Sequence, residues 1–183
     1  MGKVRACCFN RTHLLGSYPK MSLKEIWNSA KADELRNLLK RDDLSSGCQS
    51  CSLLIKNRNF EGVVARNYDI LPILDNYPAK LEFELSNTCN LECVMCFGDF
   101  SSSIRKNREK KPPIPLTYDE EFIHQLKEFI PHLKSTRFFG GEPFLIDIYY
   151  DIWNLIISIN PDCEIVVQTN GTVLNNRVKT LLS

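Results

Sequence analysis

The chain has 183 residues, 43% hydrophobic and 25% charged, with a formal net charge of +1. That balance suits a globular chain with a real core and excludes a disordered or fibrous one, while near-neutrality removes the electrostatic case for nucleic acid as a partner. No apolar run approaches the roughly 20 residues of a spanning helix and the N-terminus lacks a secretory pattern, so the expectation is a cytoplasmic protein with no membrane partner.

Eight cysteines in such a chain point to metal ligation before disulfides; the alternative is four disulfides in a secreted protein. The first of three expected parts, residues 1–58, is a small cysteine-rich helical domain. It opens with Lys3-Val4-Arg5-Ala6-Cys7-Cys8, which reads as a strand and turn. Ser22-Leu23-Lys24-Glu25 is a capping box, with Ser22 at the N-cap. Leu23, Ile26, Trp27 and Ala30 follow at helical spacing, and Leu35, Leu38 and Leu39 continue it. The stripe slips between Ala30 and Leu35, so two helices or one bent helix fit equally well. Cys48-Gln49-Ser50-Cys51 is expected in a loop.

Residues 59–79 are expected to be a linker, ending in Leu71-Pro72 and Tyr77-Pro78, where proline interrupts regular structure. From residue 80 the pattern becomes strand, helix, strand, helix, strand. The expected strands are Leu81–Leu85, Thr136–Phe139 and Glu164–Gln168. Residues 101–111 read as a solvated loop whose basic residues could instead guide an anionic substrate. Thr117-Tyr118-Asp119-Glu120 is a second capping box, opening a helix with Phe122, Ile123, Leu126, Phe129 and Ile130 on one face. Asp147 is expected to cap the next helix, with Ile148, Ile152, Leu155, Ile156 and Ile159 on its apolar side. Cys163, before the third strand, reads as an inert core residue. A last helix is expected over 175–182.

Alternating strands and helices imply an α/β fold with a parallel sheet, whose functional residues belong at the C-terminal ends of the strands. Three motifs fall there. The first is Cys89, Cys93 and Cys96, a C-x-x-x-C-x-x-C run. It supplies three thiolates, one fewer than a closed ferredoxin cluster takes, and it offers no near fourth ligand for structural zinc. A four-iron cluster held this way keeps one iron open. Gly140-Gly141-Glu142-Pro143 and Thr169-Asn170-Gly171-Thr172 are the second and third.

Asn87-Thr88-Cys89-Asn90-Leu91-Glu92-Cys93-Val94-Met95-Cys96 resembles the cluster loop of radical S-adenosylmethionine (radical SAM) enzymes, and the other two motifs fall where that family places them. The resemblance implies a partial (βα) barrel over 80–183 and a 4Fe-4S cluster on Cys89, Cys93 and Cys96, whose open iron chelates S-adenosylmethionine. It further implies reductive cleavage of that cofactor to methionine and a 5′-deoxyadenosyl radical, with a reductant such as flavodoxin or ferredoxin. Gly140, Gly141, Glu142 and Pro143 would form the methionine-binding turn, Glu142 and backbone carbonyls accepting from the cofactor's ammonium group. Thr169 and Asn170 would bind its ribose or carboxylate, or line the substrate cavity; the alternative is a plain Asn-Gly turn. The family often has an aromatic residue before the third cysteine, near the adenine; here Met95 stands there and Phe97 follows. A family core has about six strand–helix units and about three are present, so the sequence reads as a fragment.

Leu15-Gly16, the run from Ser22 to Asn28, and Cys48-Gln49-Ser50-Cys51 together resemble the SPASM/twitch domain, which implies an auxiliary Fe-S cluster on Cys7, Cys8, Cys48 and Cys51. Adjacent cysteines rarely both ligate, so one of Cys7 and Cys8 is expected to, and zinc is the rival metal. SPASM relatives often modify peptide or protein side chains, which makes such a substrate the expectation. His13, His124 and His132 lack ligand-like spacing and receive no role. The competing class is a non-catalytic metal-binding module holding zinc or Fe-S.

Overall fold

The computed structural model describes residues 2–182, which form two compact units, residues 2–77 and residues 78–182. In the first, β1 (Lys3–Arg5) pairs antiparallel with β2 (Leu14–Ser17), so the domain expected to be helical also contains a hairpin. Three helices follow: α1 (Leu23–Trp27), α2 (Ala30–Leu39) and α3 (Gln49–Lys56). Both halves of the Ser22–Glu25 capping box are present. The slip in the stripe resolves as two helices, because Ser29 caps α2 by accepting from the Ala32 N–H. Leu15, Ile26, Ala32 and Leu35 make a small core, and a Cβ at Gly16 would stand 2.7 Å from Ile26 Cγ1.

Two expectations in this unit change. Cys48-Gln49-Ser50-Cys51 is not a loop: Cys48 is the N-cap residue of α3 and Cys51 lies in its first turn. The expected linker carries two short 3-10 turns, Phe60–Gly62 and Val64–Tyr68, the first packed on α3.

The second unit is a mixed α/β arrangement on a three-stranded parallel sheet: β3 (Lys80–Phe83), β4 (Ser135–Phe138) and β5 (Glu164–Val167), in that order. Lys80 faces Ser135, which faces Glu164, and the register holds to Phe83, Phe138 and Val167. Each strand thus ends one or two residues before the bound expected from sequence. Four helices accompany the sheet: α4 (Ser102–Asn107), α5 (Glu120–Phe129), α6 (Asp147–Ile159) and α7 (Asn176–Leu182).

Helix α4 replaces the expected solvated loop. Ser101 caps it through Ile104 N–H, and Ser101 and Ile104 are buried. The start of α5 moves by two residues, because Asp119 rather than Thr117 is the N-cap, its carboxylate accepting from Phe122 N–H at 3.0 Å. At α6 the N-cap is Ile146; Asp147 sits in the first turn, where its negative charge suits the helix N-terminus, and pairs with Arg177 at 2.6 Å.

The buried stripe of α6 is Tyr149, Ile152, Trp153 and Ile156, with Tyr150 beside it; Ile148 is only half-buried and Ile159 is exposed. The aromatics take the core face because they remove more apolar area from water. Phe138, fully buried on the central strand, stacks on Phe83 at 4.8 Å between centroids and meets Tyr149 and Trp153 edge-on at 5.1 and 5.4 Å. Such pairs add roughly 0.5–1.5 kcal/mol each beyond area burial. Among the described residues no helix is long and apolar enough to cross a membrane.

Candidate functional site

Because the sheet is parallel, all three strands open at the same edge, and their following turns meet there. Tyr149 fixes the edge from below. Its buried phenol accepts from Leu85 N–H at 2.9 Å and donates to Phe139 carbonyl at 2.7 Å, and burial pushes its pKa far above the ordinary phenol value. One side chain on α6 therefore sets the exits of both β3 and β4.

The second motif is packed into the first. Gly140 and Gly141 have φ of 86° and 55°, a region where glycine pays no Cβ penalty. A Cβ on Gly141 would lie 2.1 Å from Thr88 carbonyl oxygen, and one on Gly140 would lie 2.9 Å from that of Ser86. The Glu142 N–H then donates to Thr88 carbonyl at 2.7 Å. Backbone approaches backbone here, at the start of the cysteine loop.

Glu142 joins the second motif to the third. It is fully buried. One carboxylate oxygen accepts from Thr169 Oγ1 at 2.7 Å and Phe144 N–H at 3.1 Å, and the other from Asn170 N–H at 2.7 Å. A buried carboxylate is tolerated because donors surround it. Beside the expected role for Glu142, accepting from a ligand's ammonium group, the structure shows an internal one: its oxygens receive three donors from this chain. Pro143 opens the short turn that Glu142 caps.

The third motif touches the first. Asn170 Nδ2 donates to Asn90 Oδ1 at 3.1 Å and reaches Cys89 Sγ at 3.9 Å, while Asn90 Nδ2 donates to Thr172 Oγ1 at 2.8 Å. Asn170 Oδ1 in turn accepts from Thr172 N–H at 2.9 Å, the contact expected of the plain Asn-Gly turn.

Sequence reasoning missed the far side of the cysteine loop. Cys89 N–H donates to Ser102 Oγ at 3.0 Å, Ser103 Oγ donates to Cys89 carbonyl at 2.7 Å, and Ser101 Oγ to Leu91 carbonyl at 2.7 Å. Buried Asn87 donates to Gly98 carbonyl at 2.8 Å, and Asn107 to Glu92 at 2.6 Å. The consecutive serines ahead of Ile104 were the available signal, since serine favours an N-cap. Two of the five basic residues in this segment form ion pairs: Arg105 with Asp99 at 3.1 Å and Lys111 with Glu109 at 2.8 Å. Together with Gly98 N–H, Lys111 holds the Glu109 carboxyl below its ordinary pKa. Lys106 and Lys111 border a cleft of about 680 Å³ that also meets Ser86, Thr88 and Ser103.

Within this frame Cys89 and Cys96 are half-buried and Cys93 is exposed, with Cys96 N–H closing a turn onto Cys93 carbonyl at 3.0 Å. Val94 and Met95 are 91% and 83% exposed, so Met95 presents an open apolar surface beside the thiols. Among the described residues no three His, Cys, Asp or Glu side chains stand arranged to hold one metal ion.

In the N-terminal unit, Cys7 and Cys48 come together around Asn10, which is 1% exposed. Asn10 backbone N–H donates to Cys7 Sγ at 3.3 Å, and its Nδ2 donates to Cys48 Sγ at 3.5 Å. Burial raises the Cys48 thiol pKa against the Asn10 hydrogen bond, which lowers it, and the nearby thiols of Cys7 and Cys51 add smaller upward contributions. Cys8 is exposed, so of the adjacent pair it is Cys7 that faces Cys48 and its surroundings. His13 has a structural role: its Nε2 donates to Lys31 carbonyl at 2.7 Å, and its Nδ1 shares a hydrogen bond with Ser46 Oγ at 2.7 Å. All eight cysteines are free thiols, and Cys163 is buried.

Comparison with known proteins supplies the class. Residues 83–183 match the model of the radical SAM superfamily, and residues 1–52 match that of an iron-sulfur cluster-binding domain, SPASM. The chain belongs to the radical SAM superfamily, enzymes that use a 4Fe-4S cluster and S-adenosylmethionine, and it carries a SPASM-type domain. It is similar to GTP 3′,8-cyclase from two Clostridium perfringens strains, SM101 and 13, with 29% identity over 112 residues in each case. That stretch is 58% of this chain and 32% of each relative, so the likeness spans about a third of their length.

Proposed function

We propose that Cys89, Cys93 and Cys96 hold a 4Fe-4S cluster with one iron open to S-adenosylmethionine, and that the chain starts radical chemistry on a peptide or protein side chain. The three strands would then be the opening part of a partial barrel. The chemistry supplied by the bound groups is one-electron reductive cleavage of a sulfonium carbon–sulfur bond, the electron arriving from a reductant such as flavodoxin or ferredoxin.

The observation that carries this reading is the Glu142 carboxylate, whose donors tie the Gly140-Gly141 turn and the Thr169-Asn170 turn around the start of the cysteine loop. That arrangement pre-positions groups for a ligand before it binds, which is the protein's share in cofactor chemistry. Asn170 and Thr169 orient the turn nearest Cys89. Exposed Val94 and Met95 offer apolar contact to an adenine and would exclude water once covered. Backbone carbonyls of the glycine turn would accept from the ammonium group, with Glu142 acting behind them as a positioning residue.

Cys7, Cys48 and Cys51 would hold an auxiliary cluster, and this cluster-binding unit supports the choice of a peptide or protein substrate. The rival, a non-catalytic zinc module, draws on the C-x-x-C spacing alone. Anaerobic reconstitution with iron and sulfide separates the two. The proposal expects a brown protein that releases methionine and 5′-deoxyadenosine from S-adenosylmethionine under a strong reductant. A colourless protein with stoichiometric zinc and no cleavage would overturn it. GTP added to the reduced protein tests whether the substrate class follows the clostridial relatives instead.

A further inference from the structure

We infer that Asn10 positions and tunes the N-terminal cysteine set: its two kinds of N–H donate to the sulfurs of Cys7 and Cys48 and raise the reduction potential of an iron-sulfur cluster held there. The inference rests on the reading that Cys7, Cys48 and Cys51 are ligands of an auxiliary cluster.

Asn10 is locked in place. Its Nδ2 donates both to Ser46 carbonyl at 2.9 Å and to Cys48 Sγ at 3.5 Å, and its Oδ1 accepts from His13 N–H at 3.1 Å. Turning the amide over would set oxygen against the Ser46 carbonyl and nitrogen against the His13 N–H, so the network fixes which end faces sulfur. Ser46 is itself held by the His13 ring. Gly47 lets the chain pass close over the amide: with φ of 80°, a Cβ there would stand 1.9 Å from Asn10 Oδ1. The backbone N–H of Asn10 meets Cys7 Sγ at 3.3 Å on the other side. One buried residue therefore links a thiol of the loop after β1 to the thiol at the N-cap of α3.

Reduction places added negative charge on the irons and the sulfurs bound to them. An N–H dipole aimed at such a sulfur stabilises the more negative state, and hydrogen bonds to sulfur are among the determinants of cluster potential. Removing the donor from Cys48 shifts the midpoint to more negative values. A carboxylate oxygen in the same place shifts it further, since it repels the added charge.

The test uses the full chain carrying Cys89→Ala, Cys93→Ala and Cys96→Ala, so that only the N-terminal set can hold a cluster. After anaerobic reconstitution, iron and sulfide are quantified and the midpoint is read by a redox titration followed by electron paramagnetic resonance. Asn10→Leu is expected to give a more negative midpoint than the parent, and Asn10→Asp a still more negative one. An unchanged midpoint in a loaded variant overturns the inference and leaves the cluster reading standing. A parent chain that binds no iron overturns both. Because a buried substitution can prevent folding, a second measurement leaves Asn10 intact: with isotopically labelled asparagine, pulsed resonance of the reduced cluster is expected to show hyperfine coupling to asparagine nitrogen. Its absence overturns the inference without any variant.

Discussion

The loop from Cys89 to Cys96 is anchored at its flanks, by Ser102, Ser103, Asn87 and Asn107, while Cys93 itself stays exposed. Around Cys7 and Cys48 one buried asparagine donates to two sulfurs, whereas Cys89 Sγ receives the Leu91 N–H at 3.5 Å and the exposed Asn170 amide at 3.9 Å. The first arrangement keeps metal-binding groups accessible to an incoming ligand. In the proposed reading the second arrangement would set the electrostatics of a centre that passes or stores an electron. The same side chain, cysteine, would then serve two purposes according to what the chain does with its neighbours.

The most severe way to break this contrast is to remove a ligand from each region. Cys93→Ala is expected to abolish reductive cleavage of S-adenosylmethionine, with product below detection, whereas Cys51→Ala is expected to lower total iron content yet leave cleavage measurable. Product assays and iron analysis on both variants check the pair.

Glu142→Ala comes next. It leaves Asn170 N–H and Thr169 Oγ1 without their acceptor, and losing charge-assisted bonds in a buried site costs about 3 kcal/mol. Urea unfolding of the second unit should show it. Gly141→Ala forces a Cβ against the Thr88 carbonyl at positive φ, an expected loss of about 2 kcal/mol from strain of this kind. Tyr149→Phe keeps the ring but removes its bonds to Leu85 and Phe139, at about 1–2 kcal/mol. If Tyr149→Phe also reduces cleavage, the strand exits matter to the site and not only to stability.

The smallest effect concerns pH. Hydrogen bonds from Ser22 backbone and hydroxyl hold the Glu25 carboxyl below its ordinary value of 4.5. A lowered folded pKa contributes stability that is fully present above the ordinary value and is lost as pH falls through the lowered one. Helical content of the first unit, followed by circular dichroism, should therefore decline slightly on acidification below 4.5, and Glu25→Gln should remove that dependence.

What could be read from the sequence was local. The Ser22–Glu25 box lies within four residues and needs no tertiary partner. The three motifs were visible because each closes a strand, and their common edge follows from parallel topology. Helix α4 was not visible: six polar-rich residues have little helical stability alone, and what holds them is contact with Leu91 and Cys89, ten and fourteen positions earlier in the chain. The stripe on α6 was displaced because periodicity ranks isoleucine with tryptophan, while packing favours the larger surface of Tyr149 and Trp153. Glu142 was recognised as important, but its inward role depends on Thr169 and Asn170, 27 and 28 residues later. Asn10 had no signal at all until Ser46 and Cys48 were seen beside it.

The open iron is the centre of the account, and one spectrum addresses it. In a chain carrying Cys7→Ala, Cys48→Ala and Cys51→Ala, the reduced cluster on Cys89, Cys93 and Cys96 should give a paramagnetic resonance signal that changes shape when S-adenosylmethionine is added. A signal that the cofactor leaves untouched would mean that no coordination place is available, and the account would be contradicted.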